Sequence, residues 1–286
     1  MGCLSGFIAA SVAIVATGTP DKHLGYALGL LQTGQVAGTV AGPLVGGVLG
    51  GFMSFRGLFR VSAGMLVLSF LLVLFLVKEK FVRAPEKSSG GFIADIKLVS
   101  SNPGLLQMFV VMLLAQFSIQ IVEPVLTVYV KSLVGSTEHL TLIVGIIFAV
   151  TGLANVAAAP FLGRRGDQCG HSRILIFTLI GAGLFYIPQA FVQTPWQLLS
   201  LRALLGIFLG GMIPCANAII GKQVPDDMRG RAFGVTSSAL ALGNLIGPLA
   251  GSLFTTLFGL RSIFIATGIF LLADAVWVKY GSLSSA

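Results

Sequence analysis

Long apolar runs separated by short polar connections dominate this chain. A membrane-spanning helix needs about 20 mostly apolar residues. Nine windows meet that requirement: 1–17, 25–51, 58–77, 105–130, 140–162, 174–192, 196–221, 232–258 and 262–280. Runs such as LIVGIIFAVTGLANVAAAPFL, from Leu142, show no two-residue alternation. Strands of a transmembrane barrel would alternate over about 10 residues. Lipid offers no water to backbone groups, so the runs are predicted to be helices. The first window does not read as a signal peptide, because its first charge, Asp21, follows the apolar run.

Composition sharpens this reading. Of 286 residues, 55% are hydrophobic and 10% are charged, with a mean hydropathy of +0.95. Soluble domains average about 25% charged residues. A globular cytosolic enzyme, a disordered chain and a nucleic-acid-binding module are all excluded, and the expected fold class is an all-α integral membrane protein. The net charge of +8 is then a matter of topology, since Lys and Arg collect in cytoplasmic loops. With the loop after the first window placed inside, 13 of the 18 basic residues lie inside and four lie outside: Arg56, Arg60, Lys131 and Arg261. Arg202 falls within a window. The expected orientation has the N-terminus outside and the C-terminus in the cytoplasm. Cys3, Cys169 and Cys215 are far apart and suggest neither a disulfide framework nor a metal site. Phosphate-binding, metal-binding and nucleophile–base patterns are not found, so neither a cofactor nor enzymatic chemistry is expected.

One connection is much longer than the others. Residues 78–103 include KEK, RAPEK and SSGG and mark a linker between a bundle at 1–77 and a six-helix bundle at 104–286. The chain also contains an internal repeat. Shifted by 205 positions, residues 6–63 align without a gap on 211–268, and 16 of 58 positions are identical. Pro20/Pro225, Asp21/Asp226, Gly42/Gly247, Pro43/Pro248 and Arg56/Arg261 are among them. Both copies cross the membrane in the same sense. Six windows follow the linker and three precede it, so the chain is expected to begin inside the fourth helix of a twelve-helix protein.

Two motifs carry a family resemblance. The second window holds Gly29-x8-Gly38-x3-Gly42-Pro43-x2-Gly46-Gly47. Glycines four apart share one helix face and allow a neighbouring backbone to approach closely, while Pro43 removes a backbone donor. The repeat copy runs Gly234, Gly243, Gly247, Pro248, Gly251 and departs at Ser252. The second motif is the string from Gly163 to Arg173, GRRGDQCGHSR, expected as a short cytoplasmic loop between two spans. The first motif resembles the antiporter motif of the major facilitator superfamily's drug:proton antiporters. Gly163, Asp167 and Gly170 resemble that superfamily's loop signature, although Gln168 replaces its usual Arg. The resemblance implies a major facilitator fold, a partial N-terminal bundle followed by a complete C-terminal one, and a latch at the loop motif in which Asp167 lies beside a helix N-terminus with Arg164, Arg165 and Arg173 as available partners.

Charges within spans are usually functional. Gln116, Gln120, Glu123 and Thr127 fall at i, i+4, i+7 and i+11 and form one polar stripe, with Pro124 beside the acid. Glu123 can bind a proton or attract a cationic substrate. Arg202 can face a cavity or extend towards the membrane surface. Asp274 reads as a structural acid with Lys279 close by, and Asn155, Asn217, Asn244, Tyr186 and Gln189 as cavity-lining or interhelical groups. The resemblance implies a multi-pass plasma-membrane carrier that exports hydrophobic or cationic small molecules in exchange for protons by alternating access. Its expected partners are the bilayer, the substrate and protons, with no nucleic acid. The alternatives are a major facilitator carrier for one polar metabolite, such as a sugar, and a truncated product that does not transport.

Overall fold

The computed structural model describes residues 7–53, 55–76, 101–135 and 140–281. Among them are nine α-helices: α1 (Phe7–Gly18), α2 (Leu24–Phe52), α3 (Phe55–Leu76), α4 (Pro103–Val134), α5 (Leu140–Cys169), α6 (His171–Tyr186), α7 (Pro195–Gln223), α8 (Asp226–Phe258) and α9 (Ser262–Tyr280). Each lies on one of the nine apolar windows. Six helical segments are long and apolar enough to cross a membrane, and 8–18 and 59–75 are shorter apolar helices. The 78–103 connection lies outside the described residues up to position 100.

Local chemistry sets the helix ends. The Asn102 side chain accepts from the Gly104 and Leu105 amides at 3.1 and 3.3 Å, with Pro103 in the first turn of α4. Such a cap satisfies donors that have no partner within the helix. Thr194 and Pro195 open α7 in the same way, with Thr194 Oγ1 accepting from the Gln197 amide. Pro124, Pro160, Pro214 and Pro248 lie inside α4, α5, α7 and α8. Interior prolines are tolerated in spanning helices when neighbouring elements cover the freed carbonyls.

One expectation needs correcting. The Gly163–Arg173 string is not a loop. α5 continues through Gly163, Arg164, Arg165, Gly166 and Asp167 to Cys169. Gly170 alone turns the chain, at φ 97°, before α6 begins at His171. That backbone region suits glycine, which lacks a Cβ. Charge marks where a helix leaves the apolar layer, and here the backbone hydrogen bonding runs on two turns further.

The helices alternate in direction, so their ends form two faces. Lys22, Arg164, Arg165, Arg173, Lys222, Arg229, Arg231 and Lys279 lie at one end, called here the Asp167 end. Arg56, Arg60, Lys131 and Arg261 lie at the other. α2 packs along α5, α5 along α7, α7 along α6, α6 along α9 and α4 along α8. Gln107 Nε2 donates to Trp277 O at 2.9 Å and ties the start of α4 to the end of α9. At the far end the Tyr129 hydroxyl donates to Gln189 O at 2.7 Å, and its ring lies 4.7 Å from that of Phe264. α3 presents an exposed apolar surface that includes Phe59, Leu66 and Phe75, as a lipid-facing helix does.

Candidate functional site

A cavity of about 680 Å³ opens in the middle of the bundle, walled by α2, α4, α5, α6, α7 and α8. Its surface is mostly apolar, with Met112, Phe148, Leu209 and Met212 among the lining residues. The polar groups in its wall are few. Gln116, Gln120 and Glu123 come from one face of α4, as their spacing requires. Thr127, one turn further, is not among the lining residues. Gln116 Nε2 donates to Asn244 Oδ1 at 2.7 Å, joining α4 to α8. With its amide nitrogen turned towards the acid, Gln120 donates to both Glu123 oxygens, at 3.1 and 3.2 Å.

Arg202 lines the same cavity from α7 and is only 4% exposed. Its guanidinium carbon stands 5.7 Å from the centre of the Tyr186 ring, a cation–π arrangement that holds the charge against a buried aromatic face. Nε and Nη2 are buried without hydrogen-bond partners. Asn155, also in the wall, has a buried Oδ1 without one. The sequence offers Arg202 and Tyr186 as separate candidates; the structure brings the two, 16 positions apart in the chain, together from α7 and α6. Asp274 lies outside this lining, 1% exposed, with neither carboxylate oxygen hydrogen-bonded. Lys279, expected beside it, lies over the Tyr280 ring at 5.5 Å.

At the Asp167 end α2 and α5 are in direct contact. Asp167 Oδ1 accepts from the Gly25 amide at 2.8 Å and Oδ2 from the Tyr26 amide at 2.9 Å. An acid thus caps the N-terminus of a helix 142 residues away in sequence, where free amides and the helix dipole favour negative charge. The arginines expected as its partners are placed otherwise: Arg165 lies over the Phe161 ring at 5.3 Å, and Arg164 and Arg173 are exposed. Asp167's third neighbour is His171, whose Nε2 lies 3.3 Å from Oδ1. Sequence reasoning gave His171 no role. Its i+4 spacing from Asp167 was the available signal.

Glycines make this closure possible. A side chain on Gly163 would collide with Gly25 O, and one on Gly25 with Gly163 O. Gly29, the first glycine of the antiporter-type motif, sits against the backbone of Ala159 and Pro160. One turn on, Thr33 Oγ1 reaches Val156 O at 3.1 Å. From Gly25 to Thr33 these contacts cover about 12 Å of helix by rise. Beyond them Val36 and Thr39 belong to the cavity wall. Gly38 and Gly42 meet no described atom within 4 Å, so the close approach expected along the whole motif is seen only at its start. Pro43, Gly46 and Gly47 continue α2, and their surroundings lie outside what is described. In the repeat copy, Gly243, Gly247 and Gly251 all pack against α4, near Gln116, Gln120 and Ile121.

A second bridge was not foreseen. Arg229, at the start of α8, donates from Nε to Gly221 O at 2.9 Å and from Nη1 to Ala16 O at 2.7 Å. Its Nη2 also lies 3.7 Å from Asp21. It thereby covers the last carbonyls of α1 and α7. The repeat gave no hint, since Leu24 stands at the matching position.

A helical membrane bundle with a central, sparsely polar cavity is the architecture of a membrane carrier. Comparison with known proteins gives the family. The family model described as Major Facilitator Superfamily matches residues 1–143 and 108–282. The chain is 38% identical over 277 residues to multidrug resistance protein MdtG of Serratia proteamaculans (strain 568), covering 97% of this chain and 67% of that protein. It is 37% identical over 278 residues to the MdtG of Salmonella paratyphi B, covering 97% and 69%. Among solved structures, the human organic anion transporter MFSD10 (TETRAN) superposes with a TM-score of 0.83 at 17% identity, covering 95% of this chain and 67% of that one. A bacterial homologue of the iron transporter ferroportin, in an outward-facing state, gives 0.75 at 19%, covering 99% and 70%. The chain belongs to the major facilitator superfamily of membrane transporters.

Proposed function

We propose that this chain carries out multidrug efflux: export of chemically varied amphipathic small molecules across the plasma membrane, driven by proton exchange through alternating access. One observation supports the reading above the others. Contacts from Gly25 to Thr33 join α2 to α5 at the Asp167 end, while the same two helices wall a cavity further along. A carrier that is shut on one side and holds a central cavity represents one phase of an alternating cycle. The MdtG relatives, named as multidrug resistance proteins, point to the substrate class. An apolar wall with few fixed polar groups suits a permissive site.

In this reading the Asp167 end faces the cytoplasm, because most of the described basic residues gather there. The C-terminus is then cytoplasmic. Residues 1–77 and 104–286 act as the two moving bundles, and 78–103 tethers them. Asp167 and Arg229 latch the cytoplasmic side in this phase, and the Gly29-to-Gly47 helix works as part of the seal. Glu123 is the proton-exchanging group, since it is the carboxylate in the cavity wall.

The test is efflux of a cationic dye and of a neutral one against pH, for the natural gene product and for Glu123→Gln. Loss of both supports proton coupling at Glu123. Loss of the cationic dye alone assigns Glu123 to charge recognition. Identical pH profiles and rates would remove Glu123 from the transport cycle.

A further inference from the structure

We propose that His171 makes the α2–α5 contact responsive to cytoplasmic pH: the contact accommodates the neutral imidazole, and protonation of the ring drives the two helices apart. The proposal rests on the reading of the Asp167 end as cytoplasmic and mobile, and gives that end a regulator.

The argument begins with the space the ring occupies. His171 opens α6 and is 5% exposed. It is wedged between two glycines. A side chain on Gly25 of α2 would collide with its Cε1, and one on Gly166 of α5 with its Nδ1. The first side-chain carbon at Gly166 would also lie 3.4 Å from Cys215 Sγ of α7. Three other helices therefore meet around one imidazole. Both of its nitrogens are buried without a hydrogen-bond partner. Nε2 stands 3.3 Å from Asp167 Oδ1, but the Asp167 oxygens are directed at the Gly25 and Tyr26 amides.

Charge decides which form of the ring fits. A neutral imidazole brings one N–H into this enclosure, while the imidazolium brings two and a positive charge. Enclosing such a charge without hydrogen bonds is costly. Lys222 of α7 also opposes positive charge on the ring, and Asp167 of α5 favours it. Lys22, His23, Tyr26, Arg164, Arg165 and Arg173 are exposed, so they already meet solvent while the helices touch. On α9, Lys279 is exposed and Asp274 is buried, and neither is among the charges acting on the ring.

Separation of α2 from α5 changes the surroundings of His171. The ring then meets water, where an imidazole titrates near pH ~6.5. The imidazolium formed there is four residues from Asp167 on the chain and is a charge-assisted partner for it. That pairing takes the carboxylate away from the two amides it caps. Protonation thus favours the separated arrangement by hydrating the charge and by occupying Asp167. The sign follows from linkage: the separated form binds the proton and the contact form does not, so a fall in pH populates separation. For a group titrating near ~6.5 in one form alone, the ratio of separated to touching molecules rises about fourfold between pH 8 and pH 6. Pairing with Asp167 enlarges that factor.

The experiment uses the natural gene product in lipid nanodiscs, which give both faces the same pH. Spin labels at Cys169 and at Lys22→Cys, in a Cys3→Ser background, report the distance between the ends of α5 and α2. The ratio of long to short distances should rise at least fourfold from pH 8 to pH 6. His171→Gln cannot gain the proton, so it should match the wild type at pH 8 and lose the response; His171→Asn takes its place if the Gln variant does not fold. A wild-type distribution unchanged from pH 8 to pH 6 would overturn the proposal, and that comparison needs no variant. A full response surviving in the His171 variant would overturn it as well. Dye efflux without the distance response removes the switch and leaves the exporter; the distance response without efflux removes the exporter and leaves the switch.

Discussion

Replacing Asp167 with Asn should open the Asp167 end. The carboxylate accepts two backbone bonds, from Gly25 N at 2.8 Å and Tyr26 N at 2.9 Å, and the Gly25 bond is part-buried. An Asn at this position has one acceptor oxygen, so one bond can persist in weaker, neutral form. The other amide would then face an NH₂ group. Hydrogen bonds to charged groups contribute about 1.5–3 kcal/mol each, and loss of a helix cap costs typically ~1 kcal/mol. The helix-dipole attraction to the lost charge adds about 0.3–1 kcal/mol. These overlapping terms give a net weakening of about 2 kcal/mol. At 1.4 kcal/mol per decade, that is a roughly 30-fold shift away from the closed arrangement. The native Cys169 is exposed on one side of the contact, Lys22 is exposed on the other, and Cys215 is buried. Spin labels at Cys169 and at Lys22→Cys, in a Cys3→Ser background, report their separation by pulsed electron resonance. The wild type should give one short distance, and Asp167→Asn should add a longer population. An unchanged distance distribution in a folded Asp167→Asn protein would show that this carboxylate does not hold the end shut.

Other consequences are more local. A maleimide that cannot cross membranes should label Cys169 in everted vesicles and not in intact cells; labelling from outside the cell would reverse the proposed orientation. Gly251→Leu should destabilise the bundle by about 1–3 kcal/mol, read as a lowered melting temperature in detergent, because its side chain would collide with Ile121 O on α4. Tyr129→Phe should cost ~1 kcal/mol in the same assay through the lost 2.7 Å bond to Gln189 O. An unchanged melting temperature there would mean that the bond is replaced without loss.

The helices could be read from the sequence because a bilayer imposes length and apolarity on each span, and both are local properties. The polar face of α4 was readable for a similar reason. Gln116, Gln120 and Glu123 repeat at helical spacing, and period alone puts them on one side. What the sequence hid were pairings across distance. Nothing in the order of residues says that Tyr186 covers Arg202, that Asp167 caps Gly25, or that Arg229 covers the carbonyls of Ala16 and Gly221. The GRRGDQC string misled in the opposite direction, because charge density suggests a loop while the backbone remains helical to Cys169.

The repeated glycine motif shows most directly where pattern stops specifying structure. Its two copies match at Gly29/Gly234, Gly38/Gly243, Gly42/Gly247 and Gly46/Gly251, yet they meet different surroundings. In α2 the contact is at Gly29, against Ala159 and Pro160 of α5, and no described atom comes within 4 Å of Gly38 or Gly42. In α8 it is Gly234 that meets no described atom within 4 Å, while Gly243, Gly247 and Gly251 receive α4. Small residues at spacing four create a helix face that another backbone can approach. What approaches it depends on the neighbouring helix. In α8 that neighbour is α4, whose stripe supplies Gln116 and Gln120, so the glycine face sets the depth of the polar wall. In α2 the neighbour is α5, whose continuation carries Asp167 to the Gly25 amide, so the same kind of face sets the closure. One motif thus meets a cavity-wall helix in one copy and the Asp167-bearing helix in the other.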